Sequence, residues 1–141
     1  MKLNTARVWL GGIAGGVVWT VWSFIVKMKM DPLYAAMQNA GLFRKESRYP
    51  FFEGQWILML FVMSILLAYL YAWSRATAGA GPRTALKIGM AVGFCAGVPV
   101  NFGTAAWGVI PRMLPLGWML DMWVGAILAT LVAGCLYKEK A

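Results

Sequence analysis

The side chains that can do chemistry in this 141-residue chain are few, and the most informative lie within apolar stretches. An ionisable group at membrane depth is costly and usually faces a cavity or a partner. Asp121 is therefore the strongest candidate for a functional residue. The alternative role of Asp121 is structural. If the fourth span starts at Trp118, Asp121 lies in the first turn of that helix, where the helix dipole stabilises an acid. Asn101 follows Pro99 by two residues, and its amide can satisfy the helix break at that proline or reach another helix.

Further polar residues are expected at the same depth as these two. Together the candidates for ligand binding are Ser23, Glu53, Gln55, Asn101, Arg112 and Asp121. The chain has four apolar segments that cross the membrane in alternating directions. The first and third therefore end on the side where the second and fourth begin. These residues can therefore line one polar pocket open to the non-cytoplasmic side, where Arg112 can pair with Asp121 or Glu53. The other half of each segment is nearly all Gly, Ala, Leu, Ile and Val, so the pocket is predicted to close toward the cytoplasm.

The composition excludes several classes of chemistry. The chain contains no histidine, which removes the commonest general base and the commonest metal ligand. Cys95 and Cys135 are expected to be small buried residues at different depths, too far apart for a disulfide. We therefore predict no catalytic residue, no metal site and no cofactor, and we do not expect an enzyme.

The overall balance of residues predicts a polytopic membrane protein. Hydrophobic residues make up 61% and charged residues 13%, with a mean hydropathy of +0.67. A soluble domain has about 45–50% apolar and about 25% charged residues. The net charge of +8 is typical of basic residues that face anionic lipid, so membrane lipids and not nucleic acids are the expected partners.

Four segments are long enough to span a membrane, which needs about 20 mostly apolar residues. The predicted spans are about residues 8–26, 54–73, 85–108 and 113–137, and they form one all-α domain over residues 1–141, a four-transmembrane-helix bundle. In the first loop, Asp31 and Pro32 are a helix start signal and Gly41 can end a helix. A short amphipathic helix on the membrane surface is predicted there, with a solvated loop as the alternative.

The basic residues give the orientation. The termini and the second loop hold seven of them, Lys2 and Lys140 included, against six in the first and third loops. The short second loop is the clearer signal, since Arg75, Arg83 and Lys87 flank it without an acid. Both termini are therefore predicted to be cytoplasmic.

Small residues recur at a spacing of four, which places them on one face of a helix. They are Gly11 and Gly15 in the first span, Gly89, Gly93 and Gly97 in the third, and Gly125, Ala129 and Ala133 in the fourth. In lipid, such seams let helices approach closely. They predict a tight bundle, and they leave open whether the seams pack within one chain, in a homo-oligomer or against other subunits.

Several short segments are similar to those of one protein family. They are residues 7–12 (RVWLGG), 70–72 (LYA), 79–86 (GAGPRTAL), 129–134 (ATLVAG) and 136–139 (LYKE). In these segments the chain resembles a family of small, functionally uncharacterised bacterial four-span integral membrane proteins. Members often carry an acid at the position of Asp121, which is kept, and another near Ser23, which is absent. The resemblance implies the four-helix fold and the bacterial inner membrane, and it implies no activity.

Two functions remain after these exclusions. The first is a non-enzymatic accessory or structural subunit of a larger membrane complex, because the chain is short and its small-residue seams exceed the need of one partner. The alternative is a small transporter or a lipid- or small-ligand-binding protein that uses the pocket around Asp121 and Asn101. The two differ in whether the pocket is filled by the protein's own side chains.

Overall fold

The computed structural model describes residues 3–139, and all regular structure in that range is helical. The four helices are α1 (Thr5–Asn39), α2 (Phe52–Ala78), α3 (Pro82–Trp107) and α4 (Met113–Leu136). Each is long and apolar enough to cross a membrane, which confirms the prediction of four such helices. Lys2 and Lys140, which entered the charge balance, lie outside the described residues.

α1 continues far beyond its apolar span, and the prediction of a separate amphipathic helix in the first loop is wrong. The start signal at Asp31 and Pro32 lies inside α1, where the proline removes only one backbone hydrogen bond. The predicted end is confirmed, because Gly41 has a φ of +73° and the N–H of Leu42 donates to the carbonyl of Met37 at 3.0 Å. In this ending, glycine supplies the left-handed residue that stops the helix.

Tertiary contacts hold the extension of α1 against the beginning of α4. The indole N–H of Trp118 donates a hydrogen bond to the hydroxyl of Tyr34. Met30 is buried against Gly117, where an added Cβ would overlap its sulfur atom. Because Tyr34 and Trp118 are 84 positions apart, no local sequence signal can report this packing.

α4 is the central helix of the bundle. It packs against the other three helices, whereas α1 and α3 lie apart from each other within the described residues. The first-span glycines explain the close approach of α1. A Cβ added at Gly11 would lie 3.0 Å from the Cα of Ala133, and one at Gly15 would lie 2.7 Å from the carbonyl oxygen of Ala129. The seam residues of α1 and α4 therefore face each other.

The glycines of α3 also face α4. Cβ atoms added at Gly89, Gly93 and Gly97 would lie between 2.7 and 2.9 Å from the nearest atoms of α4. All three residues are buried. The predicted seams are thus occupied by packing within the chain, and these surfaces are not free for a second copy or another subunit.

The two cysteines lie on the outside of the bundle. Both are exposed and free, so the expectation that they are buried is wrong. In α3, the buried glycines Gly93 and Gly97 occupy the inner face. Cys95 is two residues from each, a rotation of about 200°, and therefore faces outward.

Candidate functional site

A cavity of about 910 Å³ opens at the end of the bundle where α1 ends and α2 begins. We call this the first-loop end, and we call the opposite end, where α1 begins and α4 ends, the terminal end. Side chains from all four helices and from the first loop line the cavity. Its volume is in the range of pockets that hold small molecules, about 300–1,000 Å³.

The structure brings four of the six predicted pocket residues to this cavity: Ser23, Glu53, Asn101 and Asp121. Gln55 is exposed and does not line it, because two residues turn a helix by about 200°. Arg112 is exposed at the beginning of α4 and forms no ion pair within residues 3–139. Its expected pairing with Asp121 or Glu53 is not observed. Nine residues separate it from Asp121, a distance of about 13 Å along the helix.

Asp121 is the most deeply placed acid of the cavity. Because α4 starts at Met113, Asp121 lies about 12 Å along the helix, beyond the first turn that the helix dipole stabilises. Only 8% of the residue is exposed. The hydroxyl of Ser23 donates to its Oδ2 at 2.5 Å. Its Oδ1 is buried without a hydrogen-bond partner, and no basic side chain pairs with it in the described range.

An apolar cluster closes the bundle on the terminal side of Asp121. Trp19, Leu60 and neighbouring small residues of α4 are fully buried there. Trp19 fits because α4 has a glycine at position 125, where an added Cβ would overlap the indole. The indole N–H of Trp19 lies near the Asp121 carboxyl group but has no hydrogen-bond partner. The polar side chains that line the cavity thus lie on the first-loop side of this apolar cluster.

Asn101 contributes the polar lining from α3. Its Nδ2 donates to the carbonyl of Gly97 at 2.7 Å, one turn back along the same helix. Neither predicted role is observed: the bond stays within α3, and the accepting carbonyl is not that of Cys95, which Pro99 leaves without its usual donor. α3 continues through the proline to Trp107. The side-chain oxygen of Asn101 is left as an acceptor at the cavity.

The long α1 supplies a cavity wall that sequence reasoning missed. Ser23, Lys27, Met30 and Tyr34 all line the cavity, at successive spacings of four, three and four residues. That spacing marks one face of a continuous helix. This spacing is visible in the sequence. The helix-start motif at Pro32 nevertheless led us to assign Tyr34 to a separate helix instead of to the first span.

Aromatic rings form the sides of the cavity near its opening. Trp56 and Phe52 of α2 lie 6.4 Å apart between ring centroids, and both line the cavity. Trp118 of α4 lines it as well and stacks on Phe43 at 6.5 Å. These large rings give the cavity an apolar wall above the polar group at Asp121.

Within residues 3–139, no group of three or more Cys, Asp or Glu side chains is placed to hold a metal ion. That the protein has no metal and no cofactor stays a prediction. No family model, curated protein or solved structure matches the chain. Function is therefore inferred from the cavity itself.

Proposed function

We propose that this chain is a multi-pass integral membrane protein that binds a small amphipathic molecule or a lipid in the cavity at its first-loop end. The observation that carries the proposal is Asp121, a carboxylate that is 8% exposed, has an unpartnered oxygen and lines an open cavity. An unpaired ionisable group inside apolar surroundings is costly, and such groups concentrate where proteins bind or react. A ligand would supply the charge partner that the described residues do not.

The function favoured by the sequence, an accessory subunit, ranks second. Its support was a surplus of small-residue seams, and these seams pack between α1, α3 and α4 of the same chain. The cavity, by contrast, is not filled by the chain's own side chains. This is the difference that separates the two functions, and it favours ligand binding.

We propose binding without catalysis and without a continuous channel. Neither cysteine lines the cavity, and the chain has no histidine to act as a base. Toward the terminal end, Val8, Tyr71, Ala133 and Tyr137 form a second buried cluster that closes the bundle. A solute entering the cavity therefore meets a packed half of the bundle.

We further propose, from the resemblance and the basic second loop, a bacterial inner-membrane location with both termini cytoplasmic. The cavity then opens on the non-cytoplasmic side. In a variant lacking both cysteines, Lys45→Cys in the first loop should react with an impermeant maleimide added to intact cells, and Ala80→Cys in the second loop should not. Labelling of position 80 alone would reverse the orientation.

The proposal is tested by native mass spectrometry of the protein released from lipid nanodiscs. We expect the intact chain to carry a bound small molecule or lipid. Ala96→Trp should weaken this adduct, because Ala96 lines the cavity and a large ring there occupies part of it. Ala106→Trp, on an exposed part of the same helix, is the matched control and should keep the adduct. Equal adducts in all three proteins would contradict the proposal.

A further inference from the structure

We infer that the cavity takes an amphipathic organic cation with an N–H donor, such as a primary alkylammonium, whose nitrogen binds Asp121. This inference rests on the proposed ligand-binding function and names the chemical class of the ligand. It depends on three features of the cavity. Its deep polar groups have free lone pairs, no basic side chain among the described residues pairs with Asp121, and aromatic rings lie between Asp121 and the opening.

Most of the free hydrogen-bonding groups deep in the cavity are acceptors. The hydroxyl of Thr20 donates to the carbonyl of Gly16 at 2.8 Å, and that of Ser23 donates to Asp121 at 2.5 Å. One N–H of the Asn101 amide donates to its own helix, which leaves its oxygen and its second N–H at the cavity. The remaining lone pairs, together with the unpartnered Oδ1 of Asp121, match a ligand group that donates several hydrogen bonds.

The charge of Asp121 has no counterpart in the part of the chain that the structure describes. Lys27 is the one basic side chain there that lines the cavity, and it pairs with Asp31 on its own helix at 3.9 Å, where both side chains are more than half exposed. Glu46 of the first loop and Glu53 of α2 add two further acids to the lining, nearer the opening. A cationic ligand would therefore be attracted to the lining and neutralised at Asp121, whereas an anionic one would be repelled there.

The aromatic walls fit the apolar body of such a ligand and its cationic head. Trp56 and Phe52 of α2 line one part of the cavity, and Trp118 and Tyr34 line another. The hydrogen bond from Trp118 to Tyr34 fixes both rings. Indole and phenol rings attract ammonium groups through their π faces and cover hydrocarbon equally well.

The test compares three probes of equal chain length: octylammonium, octyltrimethylammonium and octanol. The protein, labelled with 15N at tryptophan and held in nanodiscs, is titrated while the indole N–H signals are followed by NMR. We expect octylammonium to move the signals of Trp56 and Trp118 at the lowest concentration. The signal of Trp73, exposed on α2 and away from the cavity lining, should not move.

The two variants that assign the effect to the carboxylate are Asp121→Asn and Glu139→Gln. The first keeps the size of the side chain and an acceptor for Ser23 but removes the charge. Loss of a charge-assisted hydrogen bond should weaken octylammonium binding about tenfold or more, and octanol binding should be unchanged. Glu139→Gln removes an acid at the terminal end, outside the cavity lining, and should leave all three titrations unchanged.

Each failure has a separate meaning. If octanol binds as tightly as octylammonium at Trp56 and Trp118, the cavity binds a ligand but the assignment to a cation is overturned. If octyltrimethylammonium matches octylammonium, the requirement for an N–H donor is overturned. If none of the probes moves the two cavity signals, the assignment of a cationic ligand is overturned. The proposed ligand-binding function fails with it only if the native mass spectra also show equal adducts in the Ala96→Trp and Ala106→Trp proteins.

Discussion

Gly89 offers a test of whether the small-residue seams hold this bundle together from within. A Cβ added by Gly89→Ala would lie 2.7 Å from the Cα of Ile127 and 3.0 Å from the carbonyl oxygen of Ala126. Both are backbone atoms of α4, which cannot rotate away as a side chain would. Ordinary contact begins near 3.4 Å. The two helices must therefore separate locally by roughly 0.7 Å and lose dispersion contacts along the seam.

The size of the effect follows from two opposing terms. Overpacking a close contact typically costs about 1–3 kcal/mol. Replacing glycine by alanine inside a helix gains about 1 kcal/mol from backbone propensity. Gly89→Ala should therefore lower the free energy of unfolding by about 0–2 kcal/mol. A Cβ added at Gly103, in the same helix, would meet no atom within 4 Å, so Gly103→Ala should keep the gain of about 1 kcal/mol.

The assay is reversible unfolding in mixed micelles, with SDS as the denaturant and circular dichroism as the signal. The two variants should differ by about 1–3 kcal/mol, with Gly89→Ala the less stable. Light scattering reports the oligomeric state of each variant in the same detergent. A Gly89→Ala protein as stable as Gly103→Ala would show that the close contact of α3 with α4 does not hold the bundle together. So would a variant that separates subunits while the isolated chain keeps its stability, because the seam would then serve an oligomer.

Two further predictions concern contacts at the two ends of the bundle. Tyr34→Phe leaves the indole N–H of Trp118 without its acceptor, which should cost about 1 kcal/mol. Hydrogen exchange in the last turns of α1 should therefore become about fivefold faster. Unchanged exchange would show that this bond does not hold the extension of α1. At the terminal end, Arg75 lies 3.3 Å from Glu139 and 4.9 Å from the ring centre of Tyr137. Arg75→Gln should lower the free energy of unfolding by about 1 kcal/mol in the SDS assay, and no loss would show that neither contact is stabilising.

The helices were predictable because each apolar run is long enough to span a membrane and is bounded by a clear signal. Asn4 caps α1 by accepting a hydrogen bond from the N–H of Arg7, and Pro82 begins α3 after two glycines with positive φ. The extension of α1 was not predicted, because the helix-start signal at Pro32 outweighed the helical spacing of Ser23 to Tyr34. The signal at Pro32 is local, whereas the contact that overrides it joins Tyr34 to a residue of α4.

The candidate site was predictable in depth but not in detail. Counting residues along the spans places Ser23 and Asp121 at one level, and the structure joins them by a hydrogen bond. Depth alone does not give the direction of a side chain around its helix. Gln55 therefore entered the prediction with Glu53 although it is turned away from the cavity, and Tyr34 was left out although it lines it.

The most direct test of the proposed function is photo-crosslinking in the native membrane. Benzoylphenylalanine in place of Trp56, which lines the cavity, is compared with the same residue in place of Trp73, which is 60% exposed on α2 outside it. We expect a discrete small-molecule or lipid adduct at position 56 that differs from the bulk-lipid adducts at position 73. Identical lipid adducts at both positions, or a crosslink from position 56 to another protein subunit, would contradict the proposed function.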